Sequence, residues 1–253
     1  MPNPHRFYLK HMHDKTGYRA TWDPVSSLQI GQIGKLENDG SFTVYSSLQN
    51  KGIPIATDQG PAKGGMDYTS EKGVKVSFKA AGKAPLAGSQ LAEAEAGFNV
   101  EFSSDQGVVF KTAGHKNTRL TNVGDIEKAV LDLLDKDEWD KDWLIITEIV
   151  QADSSTVIIS TSNEGSMDLK ASGNVGGDNL KITDASLGLT VSNKSGSNLN
   201  YIATENVTPL YKVMGLRHPL FQKWKLQGKS VAEDETGVPE FREQDFDNDE
   251  AAD

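Results

Sequence analysis

Apolar and polar residues alternate with a period of two along several stretches of this chain, most clearly between Glu71 and Val150. Val74, Val76, Phe78 and Ala80 alternate with Lys75, Ser77 and Lys79. After the connection Gly82-Lys-Ala-Pro-Leu-Ala-Gly88, Ala94, Ala96, Phe98, Val100 and Phe102 fall on one face. Glu93, Glu95, Asn99, Glu101 and Ser103 fall on the other. A period of two sends successive side chains to opposite sides, so these are two-faced strands. The first is expected over 73–82 and the second over 92–113, with a bend at Asp105-Gln-Gly107. The period changes at Ile126, Ala129, Val130, Leu133 and Leu134, one apolar stripe that predicts a helix over 125–137. Asn122 or Gly124 is its expected cap, and Asp125 and Glu127 suit the positive end of its dipole.

Beyond the helix, Leu144 to Val150 and Thr156 to Ser160 are apolar enough for buried central strands. Met167, Leu169 and Ala171 resume the alternation; Leu180 and Ile182, then Leu187, Leu189 and Val191, continue it. Turns are expected at 174–179 and 195–198, followed by strands over 199–204 and 209–215. Earlier in the chain, Tyr18 to Trp22 and Ser41 to Leu48 read as strands, and the Gly/Pro-rich stretch 52–70 as a long loop. Residues 1–17, with His5, His11 and His13, read as an exposed irregular terminus rather than a weak metal site, because no carboxylate or thiol completes a ligand set. Residues 218–229 suit a short helix around Leu220, Phe221 and Trp224. The fold class expected is α+β: a twisted, mainly antiparallel sheet with extended hairpins and a few packed helices. Residues 1–217 are expected to form one domain and 218–253 a C-terminal segment.

Composition changes this picture in three places. The 253 residues include 24 glycines and no cysteine. The missing thiols exclude a disulfide framework, a thiolate zinc site, a cysteine nucleophile and S-acylation. Of the net charge of −10, −9 belongs to 230–253, where ten acidic residues face Arg242 alone. The body is therefore near neutral, and the tail reads as an acidic, peptide-like segment with Val238, Phe241 and Phe246 as its anchors. Lys72, Lys75, Lys79 and Lys83 cluster on or beside the first strand. They read equally as a solvated strand face or as contacts to anionic lipid heads, worth ~1 kcal/mol per Lys. No apolar run reaches the ~18–20 residues of a spanning helix, and Met-Pro-Asn-Pro-His-Arg lacks the apolar core of a signal peptide, so cytoplasmic residence is the expectation.

Catalytic motifs do not emerge. There is no phosphate-binding loop, dinucleotide fingerprint or His-Glu-x-x-His. Asp245 to Glu250 lacks the glycine of a calcium loop, and no nucleophile elbow selects His115 or His218. Nor does a basic stripe interleave with aromatics as nucleic-acid binding requires. The expectation is a protein with no enzymatic activity, cofactor, metal or nucleic-acid partner.

The order of these features resembles the pore-forming domain of gasdermins. Gly82-Lys-Ala-Pro-Leu-Ala-Gly88 is similar to a short Gly-Lys/Gln-Ala-x-x-x-Gly step of that family. The longer strand at 92–113, the helix at 125–137 and Ile145-Ile-Thr-Glu-Ile149 resemble the family's next elements in order. Gly165 to Asp184 with Gly196-Ser-Asn-Leu199 resembles the family's second hairpin, so the likeness covers about 70–215. It implies a membrane pore former of innate defence, a cell-death or antiphage effector. Such a protein is cytoplasmic while inactive, released by an activating protease from a C-terminal restraint, and then a membrane-inserted homo-oligomer. The membrane-inserting faces would be Val74, Val76, Phe78, Ala96, Phe98, Val100, Phe102, Leu169, Leu187, Leu189 and Val191. Lys72, Lys75, Lys79 and Lys83 would meet lipid heads, and Phe241 and Phe246 would dock the tail. The chain departs from the family in lacking an acylated cysteine and a large inhibitory domain, which leaves residues from about 218 as the expected restraint. Its beginning, Tyr18-Arg-Ala-Thr-Trp-Asp-Pro24, matches no gasdermin start. Ordinary antiparallel sheets also alternate, so the competing expectation is a non-catalytic binding or structural α+β domain whose sheet faces stay in place.

Overall fold

The computed structural model describes residues 4–21, 23, 27–62, 64–70, 73–104, 107–160, 162, 164–172, 180–196, 198–217, 225–226 and 242–243. Along the chain run α1 (Pro4–Thr16), β1 (Arg19–Ala20), β2 (Gln32–Leu36), β3 (Phe42–Ser47), β4 (Thr57–Gln59), β5 (Asp67–Thr69), β6 (Val74–Lys79), β7 (Gly97–Phe102), β8 (Val108–Ala113) and β9 (Lys116–Leu120). Then come α2 (Val123–Leu134), β10 (Leu144–Ser160), β11 (Gly165–Lys170), a 3-10 turn (Ala185–Leu187), β12 (Thr190–Ser195), β13 (Asn198–Arg217), β14 (Lys225–Leu226) and β15 (Arg242–Glu243). Mainly antiparallel sheets with two helices make this an α+β architecture, as the alternation implies. The chain divides into two compact units, neither contiguous in sequence. One takes residues 1–8, 62–115 and 152–209; the other takes 9–61, 116–151 and 210–253.

The second unit is built on the first half of β10. Leu144 and Ile145 pair with Gly34 and Ile33 of β2, which pairs in turn with β3. Glu148 to Gln151 pair with β9, and β9 with β4. Ile145 joins a core of Ile33, Leu48, Ile53, Leu120, Trp139 and the α2 residues Ile126 and Val130. Its neighbours Leu144 and Ile146 join another core, with Ile149, Tyr211 and Val213. A strand buried on both faces has no polar side to show, and so Leu144 to Ile146 reads as a continuous apolar run. Trp139 and Trp143 meet edge to face at 5.3 Å, and the Lys51 ammonium lies 5.0 Å from the Trp143 ring centre.

Helix α2 starts two residues earlier than the stripe implies. Asn122 precedes it without giving it a side-chain cap. Its amide instead accepts from the Ala56 N–H at 2.8 Å and donates to the Pro54 carbonyl at 3.0 Å, tying down the loop before the helix. At the other end Glu138 N–H donates to Leu133 O and Asp137 N–H to Leu134 O, a Schellman closure. Asp137 occupies its left-handed position, at φ +58°.

In the first unit, β6, β7, β11 and β12 form a four-stranded antiparallel sheet in the order β12-β11-β7-β6. A separate set pairs β5 with β8 and β8 with the second half of β10. Phe98, Val100, Phe102, Met167 and Leu169 of the four-stranded sheet share a core with Val109, Ile158, Ile182 and Leu187. Ser154 and Thr156 donate to the carbonyls of Thr183 and Ile182, fastening 182–183 beside β10.

Several expectations are corrected here. Residues 4–16 are helical, not irregular, and bury Tyr8, Leu9 and Met12. The expected strand at 18–22 shortens to β1. The loop 52–70 contains β4 and β5. The single strand expected over 92–113 is two strands in different pairings, β7 and β8. Residues 80–96 lie outside the strands, although Glu93 to Ala96 alternate in phase with β7. Leu187 lies in the 3-10 turn and Leu180 and Ile182 outside any strand. The two strands expected at 199–204 and 209–215 are one, β13.

A left-handed φ costs an ordinary L-residue about 1–2 kcal/mol, less for Asp, and glycine nothing. Asp137 is exposed, so Asp137→Gly should raise unfolding stability by about 0.5–1 kcal/mol, seen as a higher urea midpoint at unchanged slope. An unchanged or lower midpoint would contradict the Schellman assignment.

Candidate functional site

The registers of the four-stranded sheet line up its side chains in rows. On one face Phe78 faces Phe98, Phe98 faces Leu169, and Leu169 faces Val191. The next row is Val76, Val100 and Met167, followed by Val74 and Phe102. Phe78 and Phe98 stack in a tilted pair at 5.3 Å. On the other face Ser77, Asn99, Asp168 and Asn193 form a polar row. Lys75, Glu101, Ser166 and Ser195 form a second one. A register shift between Asp168 and Leu169 sets Lys194 opposite Met167, so the apolar row of Val76, Val100 and Met167 ends on a lysine at β12.

The apolar face is not packed shut. A cleft of about 420 Å³ opens over Val76, Phe78 and Phe98, closed on its other sides by Gly65 to Asp67, Lys111, Thr112 and 180–183. Val74, Val76 and Phe78 are half-buried, whereas Ala96, Phe98, Val100, Phe102 and Leu169 are buried. Leu187 is buried in the 3-10 turn, Leu189 is half-buried just before β12, and Val191 is 39% exposed on β12.

The part of the polar face around Lys79, Asn99 and Asp168 is covered by the connection 80–96, which crosses back over it as a strap. Lys79 is only 2% exposed. Its ammonium donates to the carbonyls of Ala92 at 2.7 Å, Glu93 at 3.1 Å and Glu95 at 2.7 Å, which uses all three of its protons. Asp168 is 1% exposed. Its carboxylate accepts from the Ser89 hydroxyl at 2.7 Å, the Gln90 amide at 2.7 Å and the Asn99 side chain at 2.9 Å. Lys170 pairs with Glu95 at 2.6 Å. Burial pushes the Asp168 carboxyl up, but the donors from Gln90, Asn99, Ser89 and Asn193 together outweigh it and hold it below the usual aspartate value. The Lys170 ammonium, then the Ala92 amide, do the same for Glu95.

Of the lysines expected at lipid heads, Lys75 and Lys83 are exposed, Lys75 lying 3.4 Å from Glu101. Lys79 is a correction. Odd positions of β6 face the strap, and its ammonium is spent on three carbonyls, not offered to a surface. Lys72, Phe241 and Phe246 lie outside the described residues. Asp168 and Asn99 were visible in the sequence only as polar places in an alternating strand. The bonds of Asp168 to Asn99, Gln90 and Ser89 reach across 69 to 79 residues of chain, for which the sequence carries no signal.

Among the described residues no group of three or more His, Asp or Glu side chains is placed to hold a metal ion. No helix among them is long and apolar enough to cross a membrane. No protein-family model matches the chain, and no curated protein matches it. Among solved structures it is similar to the cryo-EM structure of the gasdermin A3 membrane pore, at 9% sequence identity and a TM-score of 0.38. That match covers 94% of this chain and 98% of the other.

A carboxyl whose folded pKa is depressed stabilises the fold fully above its unfolded value, ~3.9 for aspartate, and loses that contribution as pH falls through the lower folded value. Asp168→Asn turns an N–H group toward donors that need an acceptor, and should cost about 1–3 kcal/mol at neutral pH. The deficit against wild type should shrink below about pH 4. Urea titrations at pH 7 and pH 3 read both effects, and a deficit independent of pH would remove the carboxylate from this account.

Proposed function

We propose that this chain is a membrane pore former, in which the hairpins β6–β7 and β11–β12 leave their packed position and several copies close them into a β-barrel. One observation carries the reading: the two-faced pattern is longer than the strands. Strands β6 and β7 have six residues each, and a membrane strand needs ~9–11. Ala94 and Ala96 keep the parity of Phe98, and Glu93 and Glu95 keep that of Asn99, so the coil before β7 already carries the pattern of a longer strand. A barrel wall wants apolar residues outward and polar residues inward, which is the division between the two faces of this sheet. Unpaired backbone groups in lipid cost several kcal/mol each, so insertion requires a closed homo-oligomer. Strands β6 and β12, at the ends of the strand order, would be the ones that pair between copies.

In this reading residues 1–217 insert and 218–253 restrain. Strand β15 pairs with Met214 and Gly215 of β13, which gives the acidic tail a footing on the chain it would hold back. Phe241 and Phe246 would anchor the tail, and a protease would release it. Lys75 and Lys83 would meet anionic lipid heads, contributing ~1 kcal/mol each. The protein would wait in the cytoplasm, act without catalysis or cofactor, and serve in cell death or antiphage defence.

Dye release from anionic liposomes tests this with the full chain and with chains ending at 217 and 229. Truncation should start leakage. Val191→Arg is the informative variant, because its partial exposure lets the soluble fold tolerate the change within about 0.5 kcal/mol. At mid-bilayer the same side chain costs ~2–4 kcal/mol per subunit. It should abolish leakage while circular dichroism stays unchanged. If no truncated chain leaks or oligomerises, the sheet keeps its place permanently and the protein is a binding or structural domain.

A further inference from the structure

We propose that Lys79 and Asp168 form a two-point latch that closes the strap 80–96 over the polar face of the four-stranded sheet, so that opening the strap is a gated step before the strands lengthen. The consequence for strand lengthening rests on the pore-forming reading; the latch itself does not.

Beyond these two residues the strap is attached by the Lys170–Glu95 pair, by the Ala171 N–H on the Ala96 carbonyl and by the buried Leu91. Most of its side chains from Ala81 to Gly88 are exposed, and within 80–96 only Leu91 and Ala96 are buried. Apolar burial, which holds the other face of the sheet, is confined here to these two side chains. Most of the side-chain polar contacts between strap and sheet come from the two latch residues, with Lys170 on Glu95 as the other. Lys79 gathers the carbonyls of Ala92, Glu93 and Glu95 at one end of the strap. Asp168 gathers Ser89 and Gln90 at its middle. Both side chains come from regular strands, so they are held in position while the strap is not, and both are buried only as long as the strap covers them. The corners of the strap are Gly82 and Gly88, at φ +74° and +80°. Glycine takes up extended backbone as readily as this left-handed one, so straightening the strap meets no steric resistance there. The 92–96 half already alternates in phase with β7. A segment with glycine corners, a largely polar attachment and a strand pattern at its end is strand held in reserve.

Hydrogen exchange on the full chain tests the latch. The Gly82 amide donates to the Glu93 carbonyl at 2.8 Å, an oxygen that also accepts from Lys79 but makes no contact with Asp168, so Asp168→Asn is the variant in which Gly82 reports strap opening without losing a neighbour of its own bond. Lys79→Met and Asp168→Asn should each speed exchange at Gly82 by at least about tenfold, since both remove charge-assisted hydrogen bonds. Exchange in β8 and β10 should not change. If Asp168→Asn alters Gln90 alone, the bonds are local and there is no latch. If either variant unfolds the unit, Ser89→Cys with Asp168→Cys decides instead, read oxidised and reduced in the same polypeptide. The wild-type chain has no cysteine, so this is its only disulfide. Gly82 should exchange fast when the pair is reduced and slowly when it is bridged, and equal rates would overturn the latch. In a chain ending at 217, the bridge should also block liposome leakage until reductant is added. Leakage that ignores the bridge would show that the strap need not open. No leakage from the wild-type truncated chain would overturn the pore reading instead, and the Gly82 rates would still judge the latch.

Discussion

A two-faced strand in water must be covered on its apolar side, and whatever covers it decides whether the strand can ever leave. In the four-stranded sheet the cover is β8, β10 and the stretch 180–187, packed on Phe98, Val100, Phe102, Met167 and Leu169. Full burial of such side chains contributes about 1.5–3 kcal/mol each. The half-buried Val74, Val76 and Phe78 beside the cleft contribute less. The sheet is thus firmly held along β7 and β11 and loosely held along β6. The opposite face is covered by a different material, a hydrogen-bonded strap whose contacts water can replace. The two covers respond to different conditions: the apolar one to surfactants and lipid, the polar one to charge and acidity.

The alternation made the two-faced strands legible, and the 3.6 period made α2 legible, because both patterns are written by neighbours within a few residues. The features that stayed hidden depend on distant partners. Over Arg6 to Thr16, helix α1 buries Tyr8, Leu9 and Met12, too few apolar positions to stand out against Lys10, His11 and His13. Alternation shows that a segment has two faces, not which strand it pairs with. Hence β7 and β8 looked like one strand, although β7 pairs with β6 and β11 while β8 pairs with β5 and β10. The same ambiguity misled at Leu187, where a capped 3-10 turn imitates the spacing of a strand. Asp184 accepts from the Ser186 N–H and supplies the local reason for that turn.

Lys79 shows the limit of reading charge from sequence. In the chain it belongs to a basic cluster with Lys75 and Lys83, yet its ammonium has left solvent altogether. A lysine keeps its charge out of water only where its three protons find acceptors, and here backbone carbonyls thirteen to sixteen residues away supply them. Asp168 is the mirror case, an acid buried among donors. Sequence-based counting scores both as surface charge.

The tryptophan pair described in the second unit has a spectroscopic consequence. Trp139 and Trp143 sit within 5.3 Å of one another, beside α2 and the Lys51 ammonium. The other two tryptophans of the chain, Trp22 and Trp224, lie outside the described residues. The four-stranded sheet contains phenylalanine as its only aromatic residue. Native fluorescence excited at the indole band therefore has no emitter within the four-stranded sheet. A trace that stays flat while protein meets vesicles describes the surroundings of those indoles and carries no information about the hairpins. Following those strands optically takes a probe placed in them, and a chain free of native thiols accepts one at a single chosen position.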